Sequence, residues 1–237
     1  MDKTLIHLLE KVEKKYDLGM REEWVPEAVH AYRVAIRKTR SYLKFWHSDS
    51  KGTDKQVKNR LVFLQRQTAL VREWDVFIEI FGEAIDEKSV EKGRFSRLLM
   101  IDGFKYAAGF WDEIDQLALR MNGEADNQRE EKLRKQIFCE SEAEYVDWHR
   151  LRIRIKGYRY TLEQKAVADK EILVLLKEWQ DLLGLIQDGL TNRKWFDWLE
   201  EKDAMVRHAN EDVLQENLRK AKSRLPDFIE KLQRKHP

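Results

Sequence analysis

The chain has 237 residues, with 45 Lys and Arg against 43 Asp and Glu, 11% aromatic residues and one cysteine. That length buries a real core, as one large domain or two small ones, and the aromatic content excludes a disordered chain. The lone Cys139 excludes an internal disulfide framework, MDKTLIHLLEKVEKK contains no apolar secretory core, and the longest aliphatic run, Ile172 to Leu176, is far too short to span a bilayer. A soluble cytoplasmic protein is the expectation.

Prolines stand only at 26, 226 and 237, and the long stretch between the first two is rich in Leu, Glu, Lys, Arg, Gln and Ala, so an all-α fold is predicted with essentially no strand. A first helix is expected over 3–17, ending near Gly19. Pro26 suits the first turn of a second helix reaching Trp46, and HSDSKGTD (47–54) reads as a turn. Helices follow over 54–86, with a break near Arg72, and over 94–121, after Gly93 and closed by Asn122-Gly123. The second half begins near Ala125 with a long helical stretch to about 167 and a polar break at Ala168-Asp169. Helices are then predicted over 170–187, 190–208 and 211–235, with Pro226 kinking or restarting the last.

Charge is distributed unevenly along these elements. Residues 30–66 carry ten Lys and Arg against Asp49 and Asp54, and residues 149–165 carry six against Glu163. Within these segments His30, Arg33, Arg37 and Arg40 repeat as His149, Arg152, Lys156 and Arg159, the spacing His-x2-Arg-x3-(Arg/Lys)-x2-Arg in both copies. Offsets of 0, 3, 7 and 10 fall within about 80° of a helix circumference, so each copy is a one-sided ladder of cations. At this frequency of Lys and Arg a given His would head such a ladder by chance roughly 0.7% of the time, and two among six His point to an internal repeat. The stretch 65–73 (QRQTALVRE) also aligns with 180–188 (QDLLGLIQD), each following its ladder. The halves therefore read as pseudo-repeats over about 20–122 and 125–237, and two such bundles side by side would set the ladders across a common groove.

These residues resemble the CHAD family, the conserved-histidine α-helical domain. WHRLRIRIKGYRYTLE (148–163) is similar to its second signature through His149, Arg152, Lys156, Arg159, Tyr160 and Glu163, and VHAYRVAIRKTRSYLKFW (29–46) to its first through His30, Arg33, Val34, Arg37 and Arg40. LVREWDVFIEIF (70–81) resembles the family's Arg-Asp-x-Asp-Val segment, and QDLLGLIQDGL (180–190) its Leu-Gly-x-x-Asn-Asp segment. Glu73 stands where Asp is usual, Gln187 where Asn is usual, and Ala31 where an acid often follows the first His. The matches span about 25–200, and all four in order are specific where each alone is loose. The resemblance implies a single domain of two pseudo-symmetric four-helix bundles around a basic channel that binds inorganic polyphosphate, and the family has also been proposed to chelate metal through its histidines.

The chemistry suits a linear polyanion, which needs regularly spaced donors and no base-reading groups. Arg grips phosphate oxygens in pairs through its planar fork, and Lys acts as a point charge. Lys44 extends the first ladder to about 21 Å, enough for several phosphate units. Its counterpart is Glu163, expected to pair with a ladder cation and hold it in place. The expected polyphosphate contacts are therefore His30, Arg33, Arg37, Arg40, Lys44, His149, Arg152, Lys156, Arg159 and Tyr160.

The bland alternative is a solvated basic face paired with acids of a neighbouring helix, a reading that Lys38, Arg150 and Arg154, off the ladder arcs, retain. Three roles are open to His30 and His149: donating to phosphate, holding a metal, or serving as hydrogen-bonded structural residues. No HExxH, CxxC or dense His/Asp cluster is present, so donors at the groove are expected, with no metal or cofactor and with binding that tightens as pH falls through about 6.5. Arg72-Glu73-Trp74-Asp75 and Gln187-Asp188 are expected to cap helices or buttress ladder cations, against a reading as Mg2+-holding catalytic carboxylates. Tyr42, Trp46, Tyr158 and Tyr160 are expected in core packing or in phosphate contacts rather than against nucleobases. No phosphate-binding Gly-rich loop, nucleophile elbow or Glu-x-Glu-x-Lys motif occurs. The function expected is non-catalytic polyphosphate binding, with a nucleic-acid binder and a metal-dependent phosphohydrolase as rivals; granule targeting, storage and regulation all stay open as roles, as does the oligomeric state.

Overall fold

The computed structural model describes residues 3–46, 53–105, 128–163, 169–200 and 204–234, and within these the chain is helical with no strand. It divides into two compact units, Met1–Asp126 and Asn127–Pro237.

In the first unit α1 (Lys3–Arg21) packs on α2 (Pro26–Trp46); α3 (Thr53–Gln67) and α4 (Ala69–Phe81) also pack on α2, and α5 (Glu87–Lys105) lies on α3 and α4. Leu5, Leu9, Val12 and Tyr16 of α1 recur at helical spacing and meet Val29, Tyr32, Ile36 and Leu43 of α2 in one buried cluster. Gly19 does not end α1. It is buried under the Trp24 ring, where an added Cβ would stand 2.5 Å from the ring carbons. The helix stops two residues later, at a turn in which Glu23 and Trp24 adopt left-handed backbone (φ 51° and 56°) and the Trp24 N–H returns to Gly19 O at 2.8 Å.

The break expected near Arg72 lies instead at Thr68, and α4 ends at Phe81 rather than 86. α5 begins earlier than expected because Asp86 accepts from Ser89 N (3.0 Å) and Ser89 Oγ (2.6 Å). Gly93 therefore lies inside α5, where the indole of Trp74 occupies the space a Cβ would need. The turn at 47–54 falls largely, and the helix end at 122–123 wholly, outside the described residues.

In the second unit α6 (Arg129–Ser141) packs on α7 (Trp148–Leu162), α7 on α8 (Lys170–Leu199), α8 on α9 (Ala204–Arg234), and α9 back on α6. The continuous stretch expected over 125–167 is thus interrupted at 142–147, because Asp147 caps a new helix, its carboxylate accepting from Arg150 N at 2.9 Å. Asp169 caps α8 in the same way, through Glu171 N and Ile172 N.

Two further breaks are absent. α8 runs through Gly189, whose missing side chain admits Leu214 of α9, and α9 runs through Asn210, whose amide donates to Gly189 O at 3.1 Å and accepts from Asn192 at 3.2 Å. The positions of these expected breaks are here the contact between two long helices. The break between them follows Glu200, which takes the left-handed conformation at φ 58°. α9 also continues through Pro226, so no restart occurs there.

Candidate functional site

In both units the ladder is the core stripe displaced by one residue. On α2 the inward-facing Val29, Tyr32, Ile36, Thr39 and Leu43 are followed directly by His30, Arg33, Arg37, Arg40 and Lys44. On α7 the stripe Leu151, Ile155, Tyr158 and Leu162 is followed by Arg152, Lys156, Arg159 and Glu163, and the partly buried Trp148 by His149. One residue turns a helix by 100°, so each ladder runs along the rim of the core. Accordingly His30, Lys44 and His149 are exposed, whereas Arg33, Arg37, Arg40, Arg152, Lys156, Arg159 and Tyr160 are half-buried.

On α2 the arginines are held by α3 and the start of α4. Arg33 Nη1 donates to Gln65 O at 2.8 Å and to Thr68 Oγ1 at 2.9 Å. That carbonyl is in the last turn of α3, where helix breakage leaves acceptors without intrahelical donors. Arg40 Nη1 donates to the side-chain oxygen of the same Gln65. One glutamine therefore steadies two ladder arginines, one through its backbone and one through its amide.

The charges of this unit act on one another. His30 is held below its ordinary pKa by partial burial, then by Arg72, Arg37 and Arg33, with Glu79 opposing. Burial and then Arg37 push Arg33 down to about 10, Glu73 acting against them and Arg72 with them, so the group stays protonated at neutral pH. Arg40 is lowered by burial and then by Arg66. Arg72 thus joins the cationic cluster from α4, although its segment was expected only to buttress it.

On α7 the supports come from α8. His149 Nδ1 lies 2.6 Å from Gln187 Oε1, and Gln187 Nε2 donates to Thr191 Oγ1 at 3.3 Å. Arg159 Nε donates to Gln180 Oε1 at 3.1 Å, its Nη1 pairs with Glu163 at 2.7 Å, and its guanidinium lies 4.6 Å from the Tyr160 ring centroid. Glu163 does pair with a ladder cation, and the Tyr160 ring packs on one too. A Cβ at Gly184 would stand 3.9 Å from Arg152 Nη2, so α8 presents a bare backbone to that arginine.

Residues off the ladders behave differently. Arg150 lies 3.6 Å from both Glu140 and Asp147 at the surface. Asp75 does not cap a helix: it is buried and bound by Arg97 Nε at 2.6 Å, while Arg97 Nη2 donates to Trp24 O at 2.6 Å. Among the described residues no three His, Cys, Asp or Glu come together as a metal would require, and no helix is long and apolar enough to cross a membrane. Gln65, Gln180 and Thr68 were not anticipated as site residues. The signal for the glutamines was present, since both open the aligned stretches that follow the ladders.

Within the described residues the chain is helical, with one basic ladder in each of two compact units, which places it among all-α proteins with a repeated basic helix. The chain belongs to the CHAD domain family, whose model matches residues 3–197. Among solved structures it is similar to the CHAD domain from the plant Ricinus communis, at 20% identity and TM-score 0.64, covering 97% of this chain and 89% of that one. It is also similar to PptA from Streptomyces chartreusis, at 11% identity and TM-score 0.60, covering 97% of this chain and 96% of that one. At these identities the likeness is one of fold. No curated protein matches the sequence.

Proposed function

We propose that the chain binds inorganic polyphosphate without transforming it, through His30, Arg33, Arg37, Arg40 and Lys44 of one unit and His149, Arg152, Lys156, Arg159 and Tyr160 of the other, joined by Arg72. The proposal includes the duplication: each unit carries one copy of the same device, a cationic ladder on the rim of its core steadied by the next helix. Membership in a family associated with polyphosphate supports the choice of ligand. The observation that carries it is the nature of the supports. Arg33 and Arg40 donate to a backbone carbonyl, a hydroxyl and an amide, neutral acceptors that fix a guanidinium without cancelling its charge. The field left over suits a polymer with a negative charge on every unit.

The rival readings draw less support. Stacking on nucleobases needs open aromatic faces, whereas Tyr42 and Tyr158 are buried and Tyr160 lies against Arg159. A phosphohydrolase reading needs available carboxylates, and Asp75 is taken by Arg97.

The test is titration of long-chain polyphosphate into the full chain at two salt concentrations, with phosphate release followed in the same samples. Salt-sensitive binding without release is expected. Reversing Arg37 and Lys156 together to Glu should abolish binding with helicity intact; affinity retained at low salt would remove the ladders from the site. Full displacement by excess single-stranded RNA would favour a nucleic-acid ligand, and phosphate release with Mg2+ or Mn2+ an enzyme.

A further inference from the structure

The two glutamines that open the aligned stretches make related contacts, one to an arginine Nη1 and the other to an arginine Nε. Gln65 Oε1 accepts from Arg40 and Gln180 Oε1 from Arg159, the last arginine of the ladder in each unit. A guanidinium has only donors, so the amide must turn its oxygen toward it, which fixes the orientation of both groups. Glutamate has nearly the same length and would accept a stronger bond from the same arginine. It would also add a negative charge at the ladder. The chain shows both solutions side by side, since Arg159 is additionally paired with Glu163 while Arg40 and Arg33 share the neutral Gln65. If these positions served only to hold the helices together, a carboxylate would serve better.

We propose that Gln65 and Gln180 are positioning residues of the polyphosphate site: neutral braces that hold the last ladder arginine in place without adding a negative charge of their own. The proposal rests on the polyphosphate reading. It assigns Gln65 a second task through its backbone carbonyl, which holds Arg33 seven positions earlier on α2. A phosphate chain would meet two arginines already fixed relative to each other, and less side-chain freedom would be lost on binding.

The test uses the full chain with Gln65→Glu, Gln180→Glu and the double variant, beside Gln65→Met and Gln180→Met, titrated with long-chain inorganic polyphosphate over a series of salt concentrations. Each Glu variant should keep or raise the melting temperature, because the acceptor is retained. Each should also weaken binding about 5- to 10-fold and lower the slope of log Kd against log salt, as the loss of roughly one phosphate contact would. The Met variants keep the charge but lose the acceptor, so they should weaken binding only about 2- to 4-fold with the slope unchanged. A purely structural role moves melting temperature and leaves the slope alone. Glu variants that bind like the wild-type protein would overturn the proposal, whereas a wild-type protein that does not bind would overturn the parent reading. Should a Glu variant lose its fold, the Met variant at that position decides: weaker binding at an unchanged slope supports the brace, and wild-type affinity overturns it.

Discussion

The Arg72 guanidinium acts on His30 through its charge and is, after burial, the strongest influence holding that imidazole below its ordinary pKa. The two residues lie on different helices, α2 and α4, and Arg37 and Arg33 act in the same direction. His30 remains exposed, so water and salt screen the effect and its size will depend on ionic strength.

Two opposite pH dependences are expected from this arrangement. The unfolded chain takes up the His30 proton at about pH 6.5, and the free folded protein only below that. The free protein should therefore lose stability as pH falls from the ordinary value toward the lowered one. A bound polyanion reverses the local field and favours the proton, so affinity should rise as pH falls through the ordinary value toward the lowered one. Melting temperature and polyphosphate Kd measured from pH 7.5 to 5 should show both trends, and His30→Gln should flatten the part of each that this residue carries.

Glu163 occupies on α7 the position that Lys44 occupies on α2, and it takes the charge of Arg159 at 2.7 Å. Glu163→Gln keeps an acceptor in place and removes the neutralisation. Polyphosphate affinity should increase about threefold, with a steeper salt dependence, and the cost in stability should be under ~1 kcal/mol because Glu163 is exposed. Binding isotherms of the two proteins at matched salt provide the check; weaker binding by the variant would show that the carboxylate acts chiefly to orient Arg159.

The ladders were legible because their information is local: four residues on one face of one helix, written twice. Their supports were not, because a glutamine does not declare its partner. Gln65 meets Arg40 and Arg33 across 25 and 32 positions, and Gln180 meets Arg159 across 21, with a helix boundary in each interval. Glycine misled for a related reason. Gly19 and Gly93 carry the signal of a helix boundary, yet each lies within a helix where a large side chain of another segment, Trp24 or Trp74, fills the space beside it. The residue type records that a Cβ is excluded without recording what excludes it.

That distinction predicts a graded series. Gly93→Ala would place a methyl 1.8 Å from Trp74 Cζ2, which is itself buried, and should destabilise the protein by about 2–3 kcal/mol or more through displacement of α5 from α4. At Gly184 the nearest atom is a flexible Arg152 nitrogen at 3.9 Å. Gly184→Ala should instead stabilise α8 by up to ~1 kcal/mol through helix propensity. Chemical denaturation of both variants tests the contrast, and equal effects would refute the packing explanation.

Arg97 joins three parts of the first unit, since it pairs with Asp75 of α4 from its place on α5 and donates to Trp24 O in the left-handed turn between α1 and α2. Burial nonetheless leaves the Asp75 carboxyl above its ordinary pKa, with Arg97 opposing that shift through a hydrogen bond and its charge. A group whose folded pKa is raised disfavours its ionised form, so its contribution to stability is greatest at low pH and is lost as pH rises through that value. Arg97→Met removes the opposing partner and pushes the carboxyl higher still. The variant should be destabilised by about 3–5 kcal/mol at pH 7, the usual consequence of a buried charge left without its partner. Its deficit should shrink as pH falls and Asp75 protonates, and Asp75→Asn in the same chain should recover part of it at neutral pH. Denaturation of the single and double variants at pH 7 and pH 5 distinguishes this from loss of the Trp24 contact alone, which would leave a deficit independent of both pH and the second substitution.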